Sequence, residues 1–134
     1  MSPIEKRWLE VQMYNSLLKI YHINNDIQDV MTVIELLGTL FKIPTEPLKL
    51  LANKILYDLR TRPSKKEYAT LAAYFKVPII QIAKQTGYKV QYLYNKIKTW
   101  NINDLNLYNN YTDSEYMLIK TFIKKSQELK EWLL

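Results

Sequence analysis

Two pairs of carboxylates stand three residues apart in stretches of helical spacing, Asp26 with Asp29 and Glu128 with Glu131. That spacing puts both groups of a pair on one helix face, where they could hold a divalent cation. A solvated face is the commoner outcome of such a pattern, and no metal site is expected. His22 is the single histidine. It ends a helical stretch beside an Asn-rich turn, so it reads as a cation at a helix C-terminus or a surface residue, not a catalytic base. The chain has no cysteine, which excludes a disulfide framework, a thiolate nucleophile and a Cys-ligated zinc. Two glycines cannot build a phosphate-cradling loop of either common kind.

Eleven tyrosines raise the chemistry of a tyrosine nucleophile on a phosphodiester. Such a site needs several Arg and His to stabilise the phosphorane-like transition state. Three arginines and one histidine are too few. With no nucleophile–base pair and no metal cluster to assemble, the chain is expected to be no enzyme, to need no cofactor and to act by binding.

The elements that would position a binding surface come next. The chain has 134 residues, 48% of them apolar and 24% charged, which suits one domain with a real core. No apolar run approaches the roughly 20 residues of a membrane span. The N-terminal MSPIEKRWLE has no signal-peptide stretch. A soluble, cytoplasmic protein with no membrane partner is expected. Lysine outnumbers arginine 16 to 3, alongside 10 Asn, 11 Tyr and 14 Ile. All four enriched types have A/T-rich codons, so lysine abundance by itself carries no weight. Its placement does. Residues 42–100 hold 12 basic and 3 acidic groups, net +9, while 1–41 carry −2 and 101–134 carry −1. A localised positive potential attracts a polyanion.

The fold class expected is all-α, with about seven helices and a central trihelical unit. Gly and Pro are too few for a chain of hairpins, and no sustained two-residue alternation appears. Ser2-Pro3-Ile4-Glu5, Ser64-Lys65-Lys66-Glu67 and Thr112-Asp113-Ser114-Glu115 are capping boxes that open helices. The first helix runs to about Tyr21, and Asn24-Asn25-Asp26 breaks it and caps the second. A third carries Leu48, Leu51, Ala52, Ile55 and Leu59. A fourth presents Tyr68, Leu71, Ala72 and Phe75. A short fifth spans 79–85 and a sixth 89–100, with Gly87 in the turn between them. Five Asn in residues 101–111 mark a linker. The last helix, with Leu118, Ile119, Phe122, Ile123, Leu129, Trp132 and Leu133, packs on the N-terminal helices or forms a dimer interface. The chain divides into an N-terminal helical layer (1–62), a trihelical unit (63–100), the linker (101–111) and a C-terminal helix (112–134), all in one compact domain.

Ala83, Gly87, Leu93 and Ile97 form the one recognisable constellation. A small residue at 83 lets two helices cross closely. Gly87 permits a tight turn. Leu93 and Ile97 lock the second helix on the first. This pattern, over about 20 residues, resembles the helix-turn-helix DNA-binding superfamily. A second register also fits, with Ala72 as the small site, Lys76 at the glycine position and Ile82 as the packing aliphatic. It would make 79–86 the reading helix. The first register is preferred because it supplies the glycine.

The resemblance implies that residues 89–100 enter a DNA major groove. Val90, Leu93, Ile97 and Trp100 would then face inward, and Tyr88, Gln91, Tyr92, Asn95 and Thr99 would meet the bases. Asn and Gln can bond adenine bidentately. Lys89, Lys96 and Lys98 would flank them on phosphates, with Lys65, Lys66, Lys76 and Lys84 extending the clamp. No arginine lies on this helix, which implies a preference for A·T-containing double-stranded DNA. The expectation is a homodimeric transcriptional regulator from a phage, plasmid or AT-rich bacterium. The alternatives are a phage packaging or replication start-site protein, and a helical adaptor or inhibitor whose basic face meets an acidic protein partner.

Overall fold

The computed structural model describes residues 1–24 and 27–133, and it is all-helical with no strand among them. The elements are α1 (Pro3–Asn24), α2 (Ile27–Leu40), α3 (Thr45–Tyr57), α4 (Lys65–Tyr74), α5 (Ile79–Thr86), α6 (Val90–Ile97), a 3-10 turn (Ile102–Asp104) and α7 (Asp113–Leu133). Asn25 and Asp26, read as a break, a cap and half of a carboxylate pair, lie outside the described residues.

The capping signals act as local chemistry requires. The Ser2 hydroxyl accepts the Glu5 N–H at 3.1 Å, and that of Ser64 accepts the Glu67 N–H at 3.0 Å. The third box is reciprocal: Glu115 N–H donates to the Thr112 hydroxyl and Thr112 N–H to the Glu115 carboxylate. Each bond satisfies an otherwise orphaned donor of a first turn.

Helix α1 is the central beam. It touches α2, α3, α4 and α7. Its apolar residues are spread around the cylinder instead of along one stripe, because it is covered on several sides. Leu9, Met13, Tyr14 and Leu17 join Val30 and Ile34 of α2, Leu48, Leu51 and Ile55 of α3, and Tyr116, Ile119, Phe122 and Ile123 of α7 in the main core. Helix α7 therefore packs on the N-terminal layer, closely through its first half and by the partly buried Leu129 beyond it. Its end does not: Trp132 is 81% exposed and Leu133 68%. The stripe continues past the point where α1 covers it.

A second, smaller core lies within α4–α6, each of which packs against the other two. Ala69, Ala72, Ile82 and Leu93 are its buried members. Trp8 of α1 enters it from outside, stacked on Phe75 at 5.6 Å and tilted against Tyr68 at 5.8 Å. The Asn-rich segment is more than a spacer. It carries the 3-10 turn and buries Tyr111, whose hydroxyl bonds Thr61 at 2.7 Å.

A buried polar network ties these parts together. Arg7 is 4% exposed and Glu10 is fully buried. The Arg7 guanidinium donates to the Thr61 carbonyl at 3.1 Å, to Glu10 Oε2 at 3.4 Å, and through two nitrogens to the Glu67 carboxylate. Tyr116 donates to the other Glu10 oxygen at 3.0 Å and accepts the Asn110 N–H at 3.0 Å. Five stretches of chain meet there: α1, the α3–α4 loop, α4, the segment before α7, and α7. Burial alone would lower the Arg7 pKa, but the carboxylates of Glu67 and Glu10 outweigh it and hold it above the ordinary value. Burial pushes the Glu10 carboxyl up, against the pull of Arg7 and Tyr116. Burial also holds the Tyr111 hydroxyl up to about 12.

Arg7→Met leaves Glu10 buried without its cation, and should destabilise the fold by about 3–5 kcal/mol. A carboxyl with a raised folded pKa contributes stability below its unfolded value and loses it as pH rises through the folded value. The Arg7→Met deficit should therefore be largest near pH 7.5 and shrink towards pH 5. Thermal melts of both proteins at the two pH values check this; a deficit independent of pH would contradict it.

Candidate nucleic-acid interface

Helix α5 ends at Gly87, whose φ of 79° is left-handed and whose N–H bonds the Ala83 carbonyl at 2.8 Å. The Thr86 hydroxyl, buried here, donates to the Ile82 carbonyl at 2.8 Å and accepts the Tyr88 N–H at 3.2 Å. One side chain thus closes α5 and aims the chain into α6. Of the four constellation residues, Leu93 is fully buried, Ala83 and Ile97 are half-buried, and Gly87 is exposed. A Cβ built on Gly87 would meet nothing within 4 Å, so the glycine answers a backbone demand and not a steric one.

The turn between α4 and α5 is also left-handed, at Lys76 with φ 61°. Both registers thus have the backbone geometry their turn needs. They differ in what the following helix presents. Exposed on α5 are Ile80, Gln81, Lys84 and Gln85; exposed on α6 are Val90, Gln91, Tyr92, Tyr94, Asn95 and Lys96.

Two expectations about α6 need correction. Val90 is 37% exposed instead of inward, because as the first residue of the helix it precedes the crossing at Leu93. The helix also stops at Ile97, short of 100. There the Lys96 carbonyl accepts the N–H groups of Thr99 at 2.9 Å and Trp100 at 3.2 Å, and the Thr99 hydroxyl at 2.8 Å. This closing turn takes Thr99 and Lys98 off the helix. Gln91, Tyr92 and Asn95 remain together on its solvent side, and Tyr88 is half-buried at the turn.

The same turn brings Trp100 back towards the start of α6. Its ring lies 6.1 Å from Tyr88 and 6.3 Å from Tyr92, which are 5.1 Å from each other. Trp100, expected to face the core, packs on its edge and is half-buried there, as is Tyr88; Tyr92 completes the cluster on the solvent side. Three lysine ammonium groups sit over these rings: Lys65 over Tyr88 at 5.8 Å, Lys66 over Trp100 at 5.8 Å and Lys96 over Tyr92 at 5.9 Å. Sequence reading missed this because Trp100 returns only through the helix end at Ile97. Lys76, Lys84, Lys89 and Lys98 lie outside it.

All seven of these lysines are exposed. Among the described residues none of the seven pairs with a carboxylate, whereas Lys6, Arg7, Lys49, Lys54, Arg60 and Lys125 all do. Most of the positive excess of residues 42–100 therefore stands as these seven uncompensated charges on and around α4–α6. No group of three His, Asp or Glu side chains that could hold a metal occurs among the described residues. Nor is any helix among them long and apolar enough to cross a membrane. The chain matches no family model, no curated protein and no solved structure.

Gly87→Val should destabilise the protein by about 2 kcal/mol, the upper end of the left-handed penalty, because Val is β-branched. Gly87→Asn should lose about half as much, since Asn tolerates that region. Denaturant titrations of the three proteins order them; equal midpoints would show that the turn tolerates any residue.

Proposed function

We propose that α4–α6 is a helix-turn-helix unit, and that the protein binds double-stranded DNA sequence-specifically by inserting α6 into the major groove. The observation that carries this reading is the set of seven exposed lysines without carboxylate partners around the exposed amides of α6. Cations already satisfied inside a protein gain little from a polyanion. Cations left unpaired release counterions from DNA and dominate its affinity. The Gln91 and Asn95 side chains, one helical turn apart, suit the N6/N7 edge of adenine. The phosphate contacts set register and the amides read sequence.

The role this fits is a small transcriptional regulator, acting as a homodimer in the cytoplasm on A·T-containing sites. Two reading helices on one two-fold axis give the affinity that an eight-residue helix lacks alone. The exposed Trp132 and Leu133 at the end of α7 offer apolar surface for such pairing.

Fluorescence anisotropy on duplexes with randomised cores, titrated across salt and followed by sequencing of the bound fraction, tests the reading. The expected result is a steep negative salt slope and an enriched, two-fold symmetric sequence. On that sequence, Gln91→Ala and Asn95→Ala should each cost about 1–3 kcal/mol while leaving random-duplex binding nearly unchanged. Equal losses on both kinds of DNA would remove α6 as the reader. Absence of duplex binding at low salt would end the proposal.

A further inference from the structure

Groove reading uses Tyr88, Tyr92 and the lysines one by one, but it gives no role to Trp100 or to the contacts among the three rings. Paired bases offer a groove only their edges, and base faces stay hidden in the stack. Trp100 and Lys66 also lie off the solvent face of α6, one past its end and the other in the first turn of α4. Yet Trp100, Tyr88 and Tyr92 contact one another, and each carries one lysine ammonium.

The chain holds two other lysine–aromatic contacts, and they differ in kind. Lys6 over Tyr116 and Lys54 over Tyr111 cover buried rings, and both lysines also pair with carboxylates, Asp113 and Glu115. Those contacts belong to the fold. Lys65, Lys66 and Lys96 are exposed and unpaired, Tyr92 is 41% exposed, and Tyr88 and Trp100 are half-buried with one side on the small core. An exposed cation–π contact is weak. These lysines can leave the rings for a phosphate and uncover an aromatic surface as they go. Trp100 also borders a cleft of about 400 Å³ with Tyr74, Lys98 and Ile102, which is separate from the Tyr92 side of the cluster.

We propose that this cluster is a stacking site for an unpaired nucleobase, and that the protein binds single-stranded DNA there. The base lies against Trp100 and Tyr92, and Lys65, Lys66 and Lys96 hold the flanking phosphates. Aromatic rings beside a lysine-lined path are the common means of holding single strands, because every base has a π-face. The site stands independently of duplex reading by Gln91 and Asn95.

The test is anisotropy of the full chain with a fluorescein-labelled 15-mer of oligothymidylate, with tryptophan emission followed in parallel on unlabelled oligomer. The expected result is salt-sensitive binding that quenches emission. Trp100→Leu should abolish most of the quenching, since Trp8 and Trp132 lie elsewhere, and should weaken binding by about 5- to 100-fold. Trp100→Phe should restore most of the affinity. Tyr92→Leu, at an exposed position, should weaken binding on the same scale and guards against a folding defect in the tryptophan variant. Oligothymidylate binding with these responses supports the site even if no duplex binds. No binding at low salt, or binding indifferent to Trp100→Leu and Tyr92→Leu, overturns it and leaves duplex reading to its own test.

Discussion

A guanidinium taken out of water must find a partner for nearly every N–H, or the fold that buries it is lost. Arg7 meets that demand by collecting acceptors from places far apart in the chain: Glu10 from its own helix, the Thr61 carbonyl from the loop before α4, and Glu67 from α4 itself. Glu10, buried in turn, requires the hydroxyl of Tyr116 from α7. Neither group is tolerable alone. The arrangement therefore forms as a unit, and it fixes where α4 stands on the scaffold.

That placement matters because α4–α6 has only a small core of its own. Four fully buried side chains hold three short helices, two of them of eight residues. Trp8 adds apolar cover from α1, and the Arg7–Glu67 bonds add direction. The two attachments are adjacent in sequence but serve different needs. Apolar burial is indifferent to orientation, whereas a two-pronged guanidinium–carboxylate contact is not. A surface helix supported this way keeps a fixed attitude to the rest of the molecule.

Features that depend on neighbours in sequence were legible from the sequence. The Ser64 and Thr112 caps, the glycine turn at 87 and the exposed amides at 91 and 95 all follow from local periodicity and backbone chemistry. Features that depend on where the chain returns were not. Near Arg7 the sequence shows only an ordinary i,i+3 pair with Glu10, and the other partners that accompany its burial lie 54 and 60 residues away. Val90 and Trp132 carry the apolar signal of a core face, yet each sits beyond the end of the surface that would cover it. Trp100 reaches the edge of the small core as its spacing implies, but by a closing turn at the Lys96 carbonyl that spacing does not show. Thr86 is buried at the end of α5 and bonds on both sides of the turn. Its double hydrogen bond explains why a hydroxyl serves the turn.

Lysine rather than glycine occupies two left-handed helix ends, Lys42 after α2 and Lys76 after α4, with φ of 58° and 61°. A Cβ in that conformation carries a penalty of about 1–2 kcal/mol that glycine avoids. At both places a cation stands beside the outward-facing carbonyls that close a helix, where positive charge is favoured. In Lys76 the two effects coincide at the hinge entering α5. For anyone adapting this scaffold, positions 42 and 76 are adjustable in opposite senses. Glycine there would relax the backbone and erase a surface charge, so robustness and electrostatic character cannot be raised together at either site.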